Sequence, residues 1–305
     1  LDGGSTDNSQ SEIENAIIYS QQNNGPKIEL IDNPGRHVSS ARNLALSRIP
    51  PSVTHLIELI GHCIVPQNHI STRMKSWQKY DLQIKENNSA PLGALGVKVL
   101  PREGDLGMFE SWVEGALSSP LGSGGGQFDN FSSAGKTKIP AFATHLRSAV
   151  QGVGGWDDDF ISCQDSDLSM RMIEQGYCLM RCPETTVSMA KRTSVTRWWK
   201  MGHRYGFWRT KTVLRHPKRI SLREYAPWFG LVLSTALLAL SNEYWIIPAV
   251  LYGVVLLVEA LRSSIRNRRI SLLIGIPICL FMLHTSFSIG LIDGLIRKGK
   301  AASDR

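Results

Sequence analysis

The sequence predicts an α/β fold built on an open, mostly parallel sheet, followed by a C-terminal membrane-helical region. Over residues 1–90, short apolar runs alternate with amphipathic stretches of helical period. Over 225–296, Leu, Ile, Val, Ala and aromatic residues dominate. Charge is the third observation. The formal +8 is local, because 191–223 holds eleven Lys and Arg and no acid, while the remaining 23 basic and 26 acidic residues net −3. A basic segment beside apolar spans points to a membrane surface and away from nucleic acid.

Taken in order, Ser11–Asn23 reads as a helix, with Ser11 and Glu14 as a capping box and Ile13, Ala16 and Ile17 on one face. "KIELI" (27–31) reads as a short strand. "VSSARNLAL" opens a second helix with Val38, Ala41 and Ala45 inward. "VTHLIELI" (53–60) is a buried strand, and the helix after it carries Ile70, Met74 and Trp77 on one stripe. In such sheets ligands sit at the carboxyl ends of strands, where "DGGSTD", "DNPGRH" and "IGHCIVP" fall. A strand near 94–100 and a helix near 106–117 precede a Gly-rich acceptor loop at 121–136. "QDSDLSMRMIEQGY" is a helix stopped by Gly176, and two short strands follow.

The basic, aromatic segment 194–215 predicts a helix lying in the membrane interface. Candidate spans run over 225–241, 244–261 and 270–292. The first two form a tight hairpin, and "RSSIRNRR" (262–269) belongs on the cytoplasmic side. A third span would put the basic tail outside, so 270–292 reads either as a span or as re-entrant. The predicted organisation is therefore an α/β domain at 1–190, a basic aromatic segment at 191–224, about three membrane helices within 225–296, and a tail at 297–305. The five cysteines form no CxxC pair and no zinc spacing, which fits reduced thiols in a cytoplasmic compartment.

"DGGSTD", then "NPGRHVSSARNLAL", then "GGWDDDF" and "QDSDLSMRM", taken together over most of 1–185, resemble the family-2 glycosyltransferases with their nucleotide-sugar-binding GT-A fold. "GHC", "SSPLGSGGGQF" and "RYGFWRTKTVLRHP" running into apolar segments are similar to the succinoglycan-biosynthesis type. The resemblance implies that the family's first strand lies upstream of Leu1, so the sequence reads as N-terminally truncated.

It also implies roles for particular residues. Asp2 falls where the family's Asp reads the nucleobase, with Gly3 allowing close backbone approach and Asp7 capping the next helix. A Gly-Ser-Asp turn is the other reading of that stretch. Arg42 and Asn43 match the family's Ala-Arg-Asn beside the donor. Where the family has a metal-binding Asp-x-Asp or Asp-Gly-His, this chain has Ile60-Gly61-His62. The implied cofactor is a divalent cation, Mn²⁺ or Mg²⁺, with His62 as its protein ligand; Glu58 is a candidate replacement for the lost carboxylate. Asp165 occupies the catalytic position of the family's Glu-Asp pair, written here Gln164-Asp165, and is the expected base. Asp167 stands in the first turn of that helix as an acid complementing its dipole, or near the acceptor. Arg204 and Tyr205 fall where processive members carry Gln-x-x-Arg-Trp, with Met201 in place of the Gln. They read either as a gate over the substrates or as part of a membrane anchor.

The implied function is inverting transfer of a sugar from a nucleotide-sugar donor to a membrane- or lipid-linked glycan in polysaccharide biosynthesis. The enzyme would be a multi-pass protein of the plasma or inner membrane, with its catalytic domain cytoplasmic. Ile60 and Gln164 keep open an impaired membrane scaffold that binds nucleotide or glycan. A processive synthase fits less well, given three spans and an incomplete motif.

Overall fold

The computed structural model describes residues 1–87, 90–122, 128 and 131–300. Most of the tip of the 121–136 loop and the tail beyond 300, both assigned from sequence, lie outside the described residues. The chain is α/β with a mixed sheet. Its helices and strands begin with α1 (Ser9–Gln22), α2 (Val38–Arg48), β1 (His55–Ile57), β2 (Cys63–Ile64), α3 (His69–Glu86), β3 (Leu92–Pro101) and α4 (Met108–Ser118). After these come β4 (Gly135–Lys136), β5 (Thr144–Leu146), α5 (Arg147–Gly152), α6 (Gln164–Glu174) and β6 (Cys178–Met189). Four long helices close the chain: α7 (Val195–Arg215), α8 (Leu222–Ala239), α9 (Ile247–Asn267) and α10 (Leu272–Ile296).

The sheet order is β1-β5-β3-β6-β2, with β4 also on β6. Among the described residues the long β3–β6 strand pair is parallel and the four short strand pairs are antiparallel, so the sheet is mixed rather than mostly parallel. The two short strands expected after α6 are one twelve-residue strand, interrupted where Val97 pairs Cys182 and Lys98 pairs Thr186. Pro183 falls in that interruption and has no N–H for the ladder. "KIELI" forms no regular strand. It is mostly exposed, and beside it Leu1–Asp2 gives only the Asp2–Asp32 bridge.

Two helix readings also change. Helix α1 begins at Ser9, ahead of the expected Ser11–Glu14 box, and the Asp7 carboxylate accepts from the Ser9 N–H at 3.0 Å. On α3 the inward face carries His69, Arg73, Ser76, Trp77 and Tyr80, while Ile70 is exposed. Most of the pair's polar groups find partners inside: Arg73 Nε donates to His69 Nε2 at 2.8 Å, Arg73 Nη1 donates to Thr144 Oγ1 at 3.3 Å, and His69 Nδ1 bonds Thr185 Oγ1 at 2.9 Å, leaving Arg73 Nη2 unsatisfied. Val38, expected inward on α2, is also exposed.

The C-terminal helices are fused to the domain. Val113, Ala116, Trp198, Ala260, Ile276 and Leu280 share one core, drawn from α4, α7, α9 and α10. Helix α7 divides its aromatics, with Trp199 and Tyr205 exposed and the others turned into the protein. Trp198, Phe207 and Trp208 are buried, and the Trp198 indole donates to the Cys279 carbonyl at 3.0 Å. Glycines let α7 and α10 touch backbone to backbone. A Cβ on Gly206 or Gly290 would run into the Phe287 or His203 carbonyl, and one on Gly294 would lie 2.6 Å from the Phe207 oxygen. Two segments, Glu243–Asn267 and Leu272–Ile296, are each 25 residues long and contain an 18-residue stretch of mean hydropathy 2.0, enough to cross a membrane by length and composition. Helix α8 is shorter and does not reach that level.

Candidate functional site

The sharp entry into α6 sets the site. Cys163 adopts φ +59°, a left-handed turn that ends the preceding loop and puts Gln164 and Asp165 in the first helical turn. Asp165 is 48% exposed and so open to a substrate. Its Oδ1 accepts a short hydrogen bond from Arg42 Nη1. Arg42 also pairs with Glu58 at 2.6 Å and lies 5.5 Å over the Trp156 ring. The guanidinium thus bridges two carboxylates. Burial lowers its pKa, but Asp165 and Glu58 outweigh that and raise it.

Glu58 lies beneath the surface of the site. Burial pushes its carboxyl up, to about 8, against the pull of Arg42. Its Oε1 faces His145 Nδ1 at 3.4 Å with no hydrogen bond. Burial holds His145 neutral, with its pKa down at about 4. Neither His145 nor Arg73 stands out in the sequence, since a lone His on a strand and an Arg on a helix carry no spacing signal. Only the fold brings them under Arg42.

The expected donor residues divide. Asp2 is buried, and its carboxylate accepts from the Gly4 and Ser5 N–H groups, the Ser5 hydroxyl and the Gln10 amide. These bonds, the Ser5 hydroxyl first, lower its pKa to about 2. In this structure Asp2 therefore ties down its own turn, which needs Gly4 at φ +90° and packs Gly3 near Arg36. Asn43 clasps the backbone of Trp156, donating to its carbonyl at 2.7 Å and accepting its N–H at 2.9 Å. Asp7 lines a small separate hollow with Gly61.

By contrast, Arg42, Glu58, Ile60, His62, Gln164, Asp165 and Tyr205 line one cavity of about 1440 Å³. Asp167 does not. It is wholly buried, bonded to Arg171 Nε at 2.9 Å and His216 at 3.0 Å, and it ties α6 to the end of α7. The acceptor role is thereby corrected to a structural one. Arg204 is not on the cavity wall either; Tyr205, one residue on, is.

For a metal, the residues present do not make a protein-built centre. Among the described residues no three His, Cys, Asp or Glu side chains gather closely enough to hold an ion. His62 is exposed on the cavity wall, Ile60 offers no donor atom, and Glu58 is engaged by Arg42.

The cavity continues past Asp165 between α8, α9 and α10, along Trp228, Leu231, Leu251, Val255 and Phe281. One end is polar and charged, the other apolar. Bases, sugars and phosphates fit the first, and a hydrocarbon chain fits the second.

No protein-family model matches the chain. Among curated proteins it is similar to the succinoglycan biosynthesis protein ExoA of Rhizobium meliloti (strain 1021), 24% identical over 248 residues, or 81% of this chain and 70% of that one. It is also similar to the dolichyl N-acetyl-alpha-D-glucosaminyl phosphate 3-beta-D-2,3-diacetamido-2,3-dideoxy-beta-D-glucuronosyltransferase of Methanococcus voltae. That match is 27% identical over 142 residues and covers 47% of this chain and 42% of that protein.

Proposed function

From a chain that its motifs and relatives mark as a family-2, ExoA-like glycosyltransferase, we propose an inverting enzyme that passes a sugar from a nucleotide donor to a lipid-linked glycan. The observation that carries this reading is the position of Asp165 in a single cavity whose far wall is membrane-type helix. The name of the second relative, which describes a dolichyl-linked acceptor, supports the same acceptor class.

In the proposed step an acceptor hydroxyl oxygen attacks the anomeric carbon while Asp165 takes its proton. The bond from that carbon to the diphosphate breaks, and the nucleoside diphosphate leaves with the electron pair. Arg42, paired with Asp165 on one oxygen, holds the carboxylate oriented for this. Lys136, Lys138, Arg181 and Arg192 on the cavity wall supply positive charge toward the leaving diphosphate. A divalent cation, if bound, would have His62 as its protein ligand and would add positive charge at the diphosphate.

The location proposed is the cytoplasmic face of the inner membrane. Of the multi-pass expectation, α9, largely exposed and of spanning length, is proposed to enter the bilayer with the shorter, exposed α8 beside it. The deciding experiment offers a panel of nucleotide sugars and lipid-linked glycan acceptors to the full chain in nanodiscs. Transfer with inversion at the anomeric carbon is expected; nucleotide binding without any transfer would favour the scaffold reading.

A further inference from the structure

The cavity holds a second cluster of charge that the transfer step does not use. Arg209, on α7, and Arg219, in the turn Pro217–Arg219 that follows it, both line the cavity. The Arg219 side chain is 7% exposed. One carboxylate serves both: Glu224 in the first turn of α8 lies 2.8 Å from Arg209 Nε and 3.3 Å from Arg219 Nη2. Arg209 Nη1 and Arg219 Nε are buried with no hydrogen-bond partner. Two guanidiniums thus share one anion and keep donors in reserve. Burial, and then the neighbouring Arg209, push the Arg219 guanidinium down, the mark of crowded positive charge.

The cluster lies between the base and the apolar groove. Arg209, Arg219, Glu224 and Asp165 all bear electrostatically on the Cys163 thiol, two residues before Asp165. Glu224 begins the helix that supplies Trp228 and Leu231 to the groove. Helix α8 has no fully buried residue, so the ion pairs of Glu224 are among its main attachments to the domain.

We propose that Arg209 and Arg219 form the seat for the phosphate of an amphiphile whose hydrocarbon tail lies between α8 and α9, and that Glu224 fills this seat until the phosphate displaces it. The proposal rests on the lipid-linked acceptor reading above and adds its anchoring site. Arginine pairs suit phosphate, whose three oxygens accept from several guanidinium N–H groups at once. Arrival of the head group would also release the start of α8, the helix that covers the tail.

The test uses the purified full chain in detergent micelles, with farnesyl diphosphate, farnesol and inorganic diphosphate as probes. ADP, GDP, UDP and CDP report on the donor side. Farnesyl diphosphate should bind at least about tenfold more tightly than either half alone, since head and tail are held together. Arg219→Gln should weaken it by about tenfold or more and leave nucleoside diphosphate binding unchanged.

Glu224→Gln decides between a placeholder and a plain structural pair. It removes the competing anion, so farnesyl diphosphate should bind more tightly, whereas loss of a merely structural pair would leave binding equal or weaker. Equal or weaker binding in Glu224→Gln overturns the proposal, and this holds even if Arg219→Gln fails to fold. So does farnesol binding as tightly as its diphosphate, or Arg219→Gln reducing nucleoside diphosphate binding to the same extent, which would assign the seat to the donor. Should no nucleoside diphosphate bind at all, the transferase reading fails while the amphiphile result stands separately.

Discussion

The proposed base, Asp165, is paired with Arg42 and open to the cavity. Asp165→Asn preserves shape and removes the charge, so turnover should fall by roughly 10²–10⁴-fold with donor affinity nearly unchanged. Steady-state kinetics with an identified donor checks this, and full turnover in the variant would remove Asp165 from the mechanism. At the neighbouring loop, Ile60→Asp restores a carboxylate two residues before His62 and should strengthen Mn²⁺-dependent nucleotide binding, whereas His62→Ala should weaken it. Calorimetry with and without chelator reads both. Binding that ignores the chelator in the parent and in both variants would show that the ion plays no part.

Between elements, the decisive contact is the glycine seam of α7 and α10. Gly202 and Gly206 on one helix and Gly290 and Gly294 on the other allow an approach that any side chain would block. Gly290→Val should force the helices apart at a cost of about 1–3 kcal/mol, seen as a lower midpoint in thermal unfolding. Gly230 on α8 has open space around its Cβ position, so Gly230→Ala is the matched control. An equal midpoint for Gly290→Val and the control would mean that the seam is not load-carrying in solution. The seam also bears on topology. Helix α10 touches the domain near its start through Gly115 and Trp112 of α4, and near its end through α7. A helix held at both ends lies along the domain rather than leading away from it. Tags at 262–269 and after residue 300 should therefore both be labelled from the cytoplasmic side; labelling of either from outside would refute this.

Across the whole molecule, two buried histidines make stability depend on acidity. His69 and His145 are each held neutral, with pKa values lowered from 6.5 to about 4, chiefly by burial. The unfolded chain takes up their protons first as pH drops, so their stabilisation is complete above pH 6.5 and is lost as pH falls through 4. Glu58, with its carboxyl pushed up to about 8, gains stabilisation over the same fall in pH, so the histidines are read by difference. Between pH 7.5 and 4.5 the melting midpoint of His145→Asn should lose less, or gain more, than that of the parent. Equal pH dependence in parent and variant contradicts the assignment. The exposed apolar faces of α8, α9 and α10 should also keep the full chain in the membrane fraction after an alkaline carbonate wash.

What the sequence by itself determined is what local pattern encodes. The α/β class, the helices at α1, α2, α3 and α6 and the apolar C-terminal stretches follow from periodicity, and motifs read within a few residues pointed to Asp165 as the candidate base. The tertiary structure alone decided the mixed sheet, since strand direction depends on which strands meet and not on their own residues. It alone turned α3 so that His69 and Arg73 face inward, because a buried polar pair is tolerated only when the fold supplies each member with its partner. It moved Arg42 onto Asp165 and Glu58, engaged Asp2 and Asn43 within the protein, and buried Trp198, Phe207 and Trp208 of α7 while leaving Trp199 and Tyr205 exposed. An aromatic, basic helix is equally suited to a membrane surface and to a protein groove. The glycines of α7 and those of α10, distant in the chain, together let the two helices come close enough to pack one face of α7.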